Sequence, residues 1–166
     1  MKRPLRMAVG AALAVVLSFA AHTKNAGEAA PDFTRPALSG EPVHLAQYRG
    51  KLVLLNFWAS WCGPCLEEMP RFSAWQRDYG PRGLQVIGIS MDDGAATAKR
   101  LLAKRPVAYP ILMGDSALGE LFGGVLGLPQ TYLIDAGGRI VGRYQGGQNL
   151  KAMEAQIRSL LPHPGR

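Results

Sequence analysis

The sequence predicts an α/β domain with helices on both faces of a central mixed sheet, and three observations carry that prediction. Two apolar runs of strand length, Lys51–Trp58 and Leu84–Met91, are nearly uninterrupted, as expected of strands buried on both faces. Segments with helical spacing alternate with them. Later, Gln130–Asp135 and Arg139–Tyr144 are joined by Ala136-Gly137-Gly138, a hairpin turn of the kind that links antiparallel strands. The chain has 166 residues, 48% of them hydrophobic and 19% charged, which fits one globular domain and excludes a disordered chain.

Taken in order, the ordered part begins near Pro31. Ser39-Gly40-Glu41-Pro42 is turn chemistry between the extended pieces Thr34–Leu38 and Val43–Leu45, giving an N-terminal β-hairpin. After the first buried strand, a helix should run from about Cys62 to Tyr79. The second buried strand leads to a helix over Ala95–Lys104, a short strand over Ile111–Met113 and a short helix over Ser116–Phe122. The late hairpin follows. An amphipathic helix over Asn149–Leu161 closes the chain, with Asn149 as its N-cap.

The formal charge of +7 suggests nucleic acid until the charges are located. Lys2, Arg3 and Arg6 precede an uncharged run from Met7 to Ala21, and without them 16 basic residues face 12 acidic ones. The remaining cluster, Lys99, Arg100, Lys104 and Arg105, is spaced like the solvated face of a helix. No aromatic-basic platform accompanies it, so no nucleic-acid partner is expected. The first twenty residues have the form of a secretory signal, with an apolar stretch near the upper limit of about 15 residues for such a segment. It is short of the roughly 20 apolar residues that span a bilayer. Two fates fit: cleavage after Ala20, or retention as an N-terminal anchor, the only route to the membrane. Residues 21–30 read as a tether and 31–162 as the domain, placed in the periplasm or another extracytoplasmic compartment.

The chemistry lies at Trp61-Cys62-Gly63-Pro64-Cys65, directly after a buried strand and at the start of a helix. Unpaired N–H groups and the macrodipole at a helix N-terminus favour an anion. They lower the pKa of the first thiol below its free value of about 8.5. The second thiol lies within reach of a mixed disulfide on the first. Cys62 is therefore the candidate nucleophile and Cys65 the resolving thiol. Pro64 fits the first helical turn, where a missing N–H costs nothing. These are the only two cysteines, which excludes a disulfide scaffold, and with three scattered histidines they make no zinc site. Neither cofactor nor metal is expected.

The segment from Leu54 to Pro70, reading LLNFWASWCGPCLEEMP, resembles the signature of the TlpA/ResA-like thiol–disulfide oxidoreductases of the thioredoxin superfamily. The resemblance runs from Pro31-Asp32-Phe33 to the final helix. It implies a thioredoxin-like fold with an inserted helix-strand unit near residues 95–113. Gly127-Leu128-Pro129-Gln130-Thr131 is similar to the segment carrying the superfamily's cis-proline, so the Leu128–Pro129 bond should be cis and lie against the disulfide. With Trp61, Gly63 and Pro64, those two residues would form the client-docking surface.

Glu68 falls on one helical stripe with Phe72, Trp75 and Tyr79, and should be partly buried, while Glu67, with Arg71 as its surface partner, should be solvated. A desolvated carboxylate has a raised pKa, which suits it to accept a proton from Cys65. Thioredoxins place a buried Asp at the position of Asn56 and a Lys at that of Gly88. Neither charge is present, and in the TlpA/ResA-like group a Glu at the position of Glu68 looks like the substitute.

The resemblance implies an exported reductase of disulfides in client proteins, re-reduced by a membrane electron donor of the DsbD/CcdA kind. Its clients would belong to cytochrome c maturation or oxidase assembly. Gln130 departs from the acid often found after the cis-proline in dedicated cytochrome c reductases. Two alternatives stay open: a dithiol oxidase, and a soft-metal (copper) carrier using both cysteines and the remote His44. A peroxiredoxin-type peroxidase would need Pro and Thr or Ser where Leu55 and Ala59 stand.

Overall fold

The computed structural model describes residues 27–147 and 149–162. The export segment and most of the tether lie outside the described residues. The chain enters along a sheet edge and then forms a small antiparallel hairpin of β1 (Thr34–Pro36) and β2 (Pro42–His44), with Thr34 opposite His44. Gly40, at φ 103°, makes the turn between them.

Five strands form the main sheet: β3 (Leu52–Trp58), β4 (Leu84–Ser90), β5 (Ile111–Met113), β6 (Gln130–Ile134) and β7 (Ile140–Gln145). Their order is β5-β4-β3-β6-β7. The first three are mutually parallel, and β6 and β7 join antiparallel. Four helices connect them: α1 (Gly63–Tyr79), α2 (Ala95–Lys104), α3 (Ser116–Leu121) and α4 (Leu150–Leu160). This is a thioredoxin-like fold with an N-terminal hairpin and an inserted α2–β5 unit.

The centre of the sheet is buried and almost wholly apolar, as its sequence predicts, Asn56 being the one polar residue of β3. Every residue of β3 is buried. Its alternate side chains supply two cores. Leu52, Leu54 and Trp58 pack with Met69, Phe72 and Trp75 of α1, Ala98 of α2, and Met153 and Ile157 of α4. Val53, Leu55 and Phe57 pack on the opposite side with Val43 of the hairpin, Leu118 of α3 and Phe122. Phe33, Phe57, Phe122 and Tyr132 interlock there with ring centroids 5.2–6.2 Å apart. One face thus carries three helices, and the other carries α3 together with the hairpin.

The N-terminal segment also reaches both sheet edges. Ala37 bridges Leu112 on β5, and Ala29 bridges Arg139 at the start of β7. The end of β3, the start of β6 and the start of α1 meet at one end of the sheet, since Phe57 pairs with Gln130 and the 59–62 connection follows Trp58.

Candidate active site

At that end, Cys62 and Cys65 form a disulfide, with Cα atoms 5.3 Å apart. Cys62 is the N-cap of α1: its backbone is extended, and its Sγ accepts the Cys65 N–H at 3.3 Å. The sulfur of the first cysteine therefore sits over the free donors of the first helical turn, where developing negative charge is stabilised. Both cysteines are nearly covered, at 5% and 1% exposure, whereas Trp61 beside them is 72% exposed. Gly63 and Pro64 are exposed as well.

One turn into α1, Glu68 is 2% exposed and its Oε2 has no hydrogen-bond partner among the described residues. Burial alone pushes its carboxyl up from 4.5 to about 7. The stripe that predicts this burial is real: Phe72 and Trp75 are buried beside it and Tyr79 is half-buried, while Glu67 is exposed. Arg71 departs from expectation. Its guanidinium pairs with Glu154 of α4 at 3.2 Å rather than with Glu67, because α4 lies alongside the same face. Tyr79 donates to the same carboxylate at 2.9 Å.

Asn56 is buried, and its amide donates to Thr131 Oγ1 across β3 and β6 at 2.9 Å. Its neighbour on β4 is Gly88. A side chain there would collide with Ile111 Cδ1 at 2.5 Å and crowd Trp58 Nε1 and the Tyr109 ring. Indole and phenol thus fill the space that a longer residue at Gly88 would take, leaving Glu68 the ionisable group buried on α1. Tyr109 feels that charge: burial first, and Glu68 second, push its hydroxyl above the ordinary tyrosine range.

The Leu128–Pro129 bond is cis. Pro129 is buried, and Leu128 is half-buried against the core that includes both cysteines. Sequence reading missed the next contact. Gly146 donates its N–H to the Pro129 carbonyl at 2.8 Å, and a Cβ on Gly147 would fall 2.8 Å from Pro64 Cβ. The segment after β7 therefore closes against both the cis-proline and the spacer of the cysteine pair. His44 lies apart in this respect: its Nδ1 is hydrogen-bonded to Thr34 Oγ1 at 2.7 Å within the hairpin.

A thioredoxin-like fold with a disulfide closed across the first turn of its longest helix defines a class, the dithiol–disulfide exchange proteins. Comparison with known proteins agrees. The model of the AhpC/TSA family matches residues 26–143. The thiol-disulfide oxidoreductase ResA of Bacillus thuringiensis is 30% identical over 138 residues, 82% of this chain and 79% of that protein. Among solved structures, a thiol:disulfide interchange protein of the thioredoxin family from Chlorobium tepidum superposes with a TM-score of 0.74 at 27% identity. That match covers 81% of this chain and 96% of that one. The exposed lipoprotein thioredoxin Etrx1 of Streptococcus pneumoniae gives 0.69 at 27% identity, covering 78% and 100%. The chain belongs to the AhpC/TSA family, and within it to the ResA-like thiol–disulfide oxidoreductases.

Proposed function

We propose that the protein works outside the cytoplasm as a reductase of disulfides in client proteins. The observation that carries this reading is the buried Glu68 carboxyl one turn beyond Cys65, whose Oε2 has no hydrogen-bond partner among the described residues and whose pKa burial raises to about 7. In the reduced protein the Cys62 thiolate attacks one sulfur of a client disulfide. The other client sulfur leaves and takes up a proton, and a Cys62–client mixed disulfide remains. Glu68 accepts the proton of the Cys65 thiol. The Cys65 sulfur then attacks Cys62 Sγ, displaces the client sulfur and restores the disulfide seen here. Two electrons pass to the client, whose second thiolate is protonated as it leaves. The client segment lies on exposed Trp61, Gly63 and Pro64 and on half-buried Leu128, with the buried Pro129 supporting them from beneath.

The likeness to an exposed lipoprotein thioredoxin and the secretory form of residues 1–20 support an extracytoplasmic site of action. Among the described residues no helix is long and apolar enough to cross a membrane. The oxidised dithiol needs an external reductant, which the family resemblance assigns to a membrane donor of the DsbD/CcdA kind. Client proteins of cytochrome c maturation or oxidase assembly follow from the same resemblance.

Three measurements test the reading. A dithiol potential near −270 mV, the thioredoxin end of the range, is expected, and one near −120 mV would show an oxidase instead. In stopped-flow reduction of a model disulfide, Glu68→Gln should leave formation of the mixed disulfide intact and slow its resolution by about a hundredfold. Unchanged resolution removes Glu68 from the mechanism. Cys65→Ser should accumulate the mixed disulfide and identify the client.

A further inference from the structure

Asp92 follows the last residues of β4 and is 5% exposed, yet none of the ion pairs among the described residues includes it. Hydroxyl and amide donors surround its carboxylate instead. Ser60 Oγ donates to Oδ1 at 2.6 Å, and the Ser60 N–H lies 3.1 and 3.2 Å from the two carboxylate oxygens. Ser90 Oγ donates to Oδ2 at 2.8 Å, and the Asp92 N–H donates back to Ser90 Oγ at 3.3 Å. Burying a carboxylate is costly even when it is hydrogen-bonded, and a neutral residue often serves stability as well. Stability alone does not account for two buried acceptor oxygens at this position.

Its placement does. Ser60 stands in the connection from β3 to α1, two residues before Cys62. That connection is otherwise held by Met91 N–H on the Trp58 carbonyl at 2.8 Å and Cys62 N–H on the Ala59 carbonyl at 3.1 Å. With its N–H and hydroxyl engaged by one carboxylate, Ser60 is fixed in both backbone and side chain. In the oxidised protein the bond to Cys65 also fixes Cys62. Once that bond opens, Cys62 is held only by the 59–62 turn and by its capping contacts with the first turn of α1, where the Leu66 N–H donates to the Cys62 carbonyl at 3.2 Å.

We propose that Asp92 is a positioning residue for dithiol exchange: acting through Ser60, its carboxylate holds the 59–62 turn so that the reduced Cys62 sulfur stays over the N-terminus of α1. The proposal rests on the reading of Cys62 as the attacking thiol.

The test is alkylation of the reduced, full-length protein by iodoacetamide at neutral pH under anaerobic conditions, with the modified cysteine assigned by mass spectrometry. In the wild type Cys62 should be modified, its thiolate displacing iodide. Asp92→Ala should slow that reaction on the order of tenfold, the loss expected when charge-assisted hydrogen bonds are removed. Asp92→Asn, which still offers Ser60 an acceptor oxygen, should recover most of the rate. Ser60→Ala, which keeps the N–H contact, should fall between, and it carries the test if Asp92→Ala does not fold. Wild-type rates in Asp92→Ala and Ser60→Ala, or Asp92→Asn as slow as Asp92→Ala, overturn the positioning role while leaving Cys62 as nucleophile. Modification of Cys65 first in the wild type overturns both.

Discussion

Burial acts on Glu68 in two directions that can be measured separately. Its carboxyl titrates near 7 in the fold against 4.5 when free, so the folded protein holds this proton more tightly than the unfolded chain. Stability from this group is complete below about pH 4.5, declines as pH rises through 7 and is constant above. Thermal unfolding of the oxidised protein should therefore occur several degrees lower at pH 8 than at pH 4.5, and Glu68→Gln should remove that contribution and be the more stable protein at pH 8. Calorimetry at the two pH values decides it. The reaction has the opposite trend, because only ionised Glu68 can take the Cys65 proton, so mixed-disulfide resolution should accelerate up to about pH 7 and lose this dependence in Glu68→Gln. Glu68 was legible in the sequence because helical spacing puts it on the stripe of Phe72 and Trp75. Asp92 was not, since its partner Ser60 precedes it by 32 positions and no local pattern joins them.

At the scale of elements, the positions of strands and helices follow from runs and periods, and their ends from capping. Asn149 caps α4 as the sequence suggests, its Oδ1 accepting the Ala152 N–H at 3.1 Å, and Cys62 caps α1. Asn149 also has φ 78°, which a glycine tolerates and an alanine does not. Asn149→Ala should destabilise by about 1–2 kcal/mol and Asn149→Gly by much less, read from denaturant midpoints. The 3-10 turns at Leu45–Tyr48 and Gly80–Arg82 were not legible, being too short to show a period. Nor was the closure of residues 146–147 on Pro129 and Pro64, which depends on a glycine whose importance lies in what it touches. Gly147→Ala must move that segment off Pro64. The expected result is a several-fold slower reduction of protein disulfides, with thermal stability changed by less than about 1 kcal/mol, because the clash is at the surface rather than in either core.

For the whole molecule, the architecture was readable because each level of the sequence agrees with the next: apolar runs for the buried strands, an antiparallel pair at one side, helices between. What composition and spacing could not show is which face each helix takes. The layering came from packing, with α4 docked beside α1 through Met153 and Ile157. The chain has two cysteines and both belong to the reactive pair, so it carries no second pair to reload the first. The reduced protein should deliver one electron pair per chain to excess disulfide substrate and stop. Thiol counting with a chromogenic disulfide should show a single stoichiometric burst, resuming only when an external reductant is added.

The bridges made by Ala29 and Ala37 give this economy a further meaning. A free sheet edge is a place where any extended chain can add itself as a further strand. Such captures would sequester the enzyme at a distance from its sulfur atoms. By bridging Leu112 on β5 and Arg139 before β7, the N-terminal segment occupies part of each sheet edge and makes such landings there less favourable. A segment remote from the cysteines thus narrows where another chain can pair with the sheet.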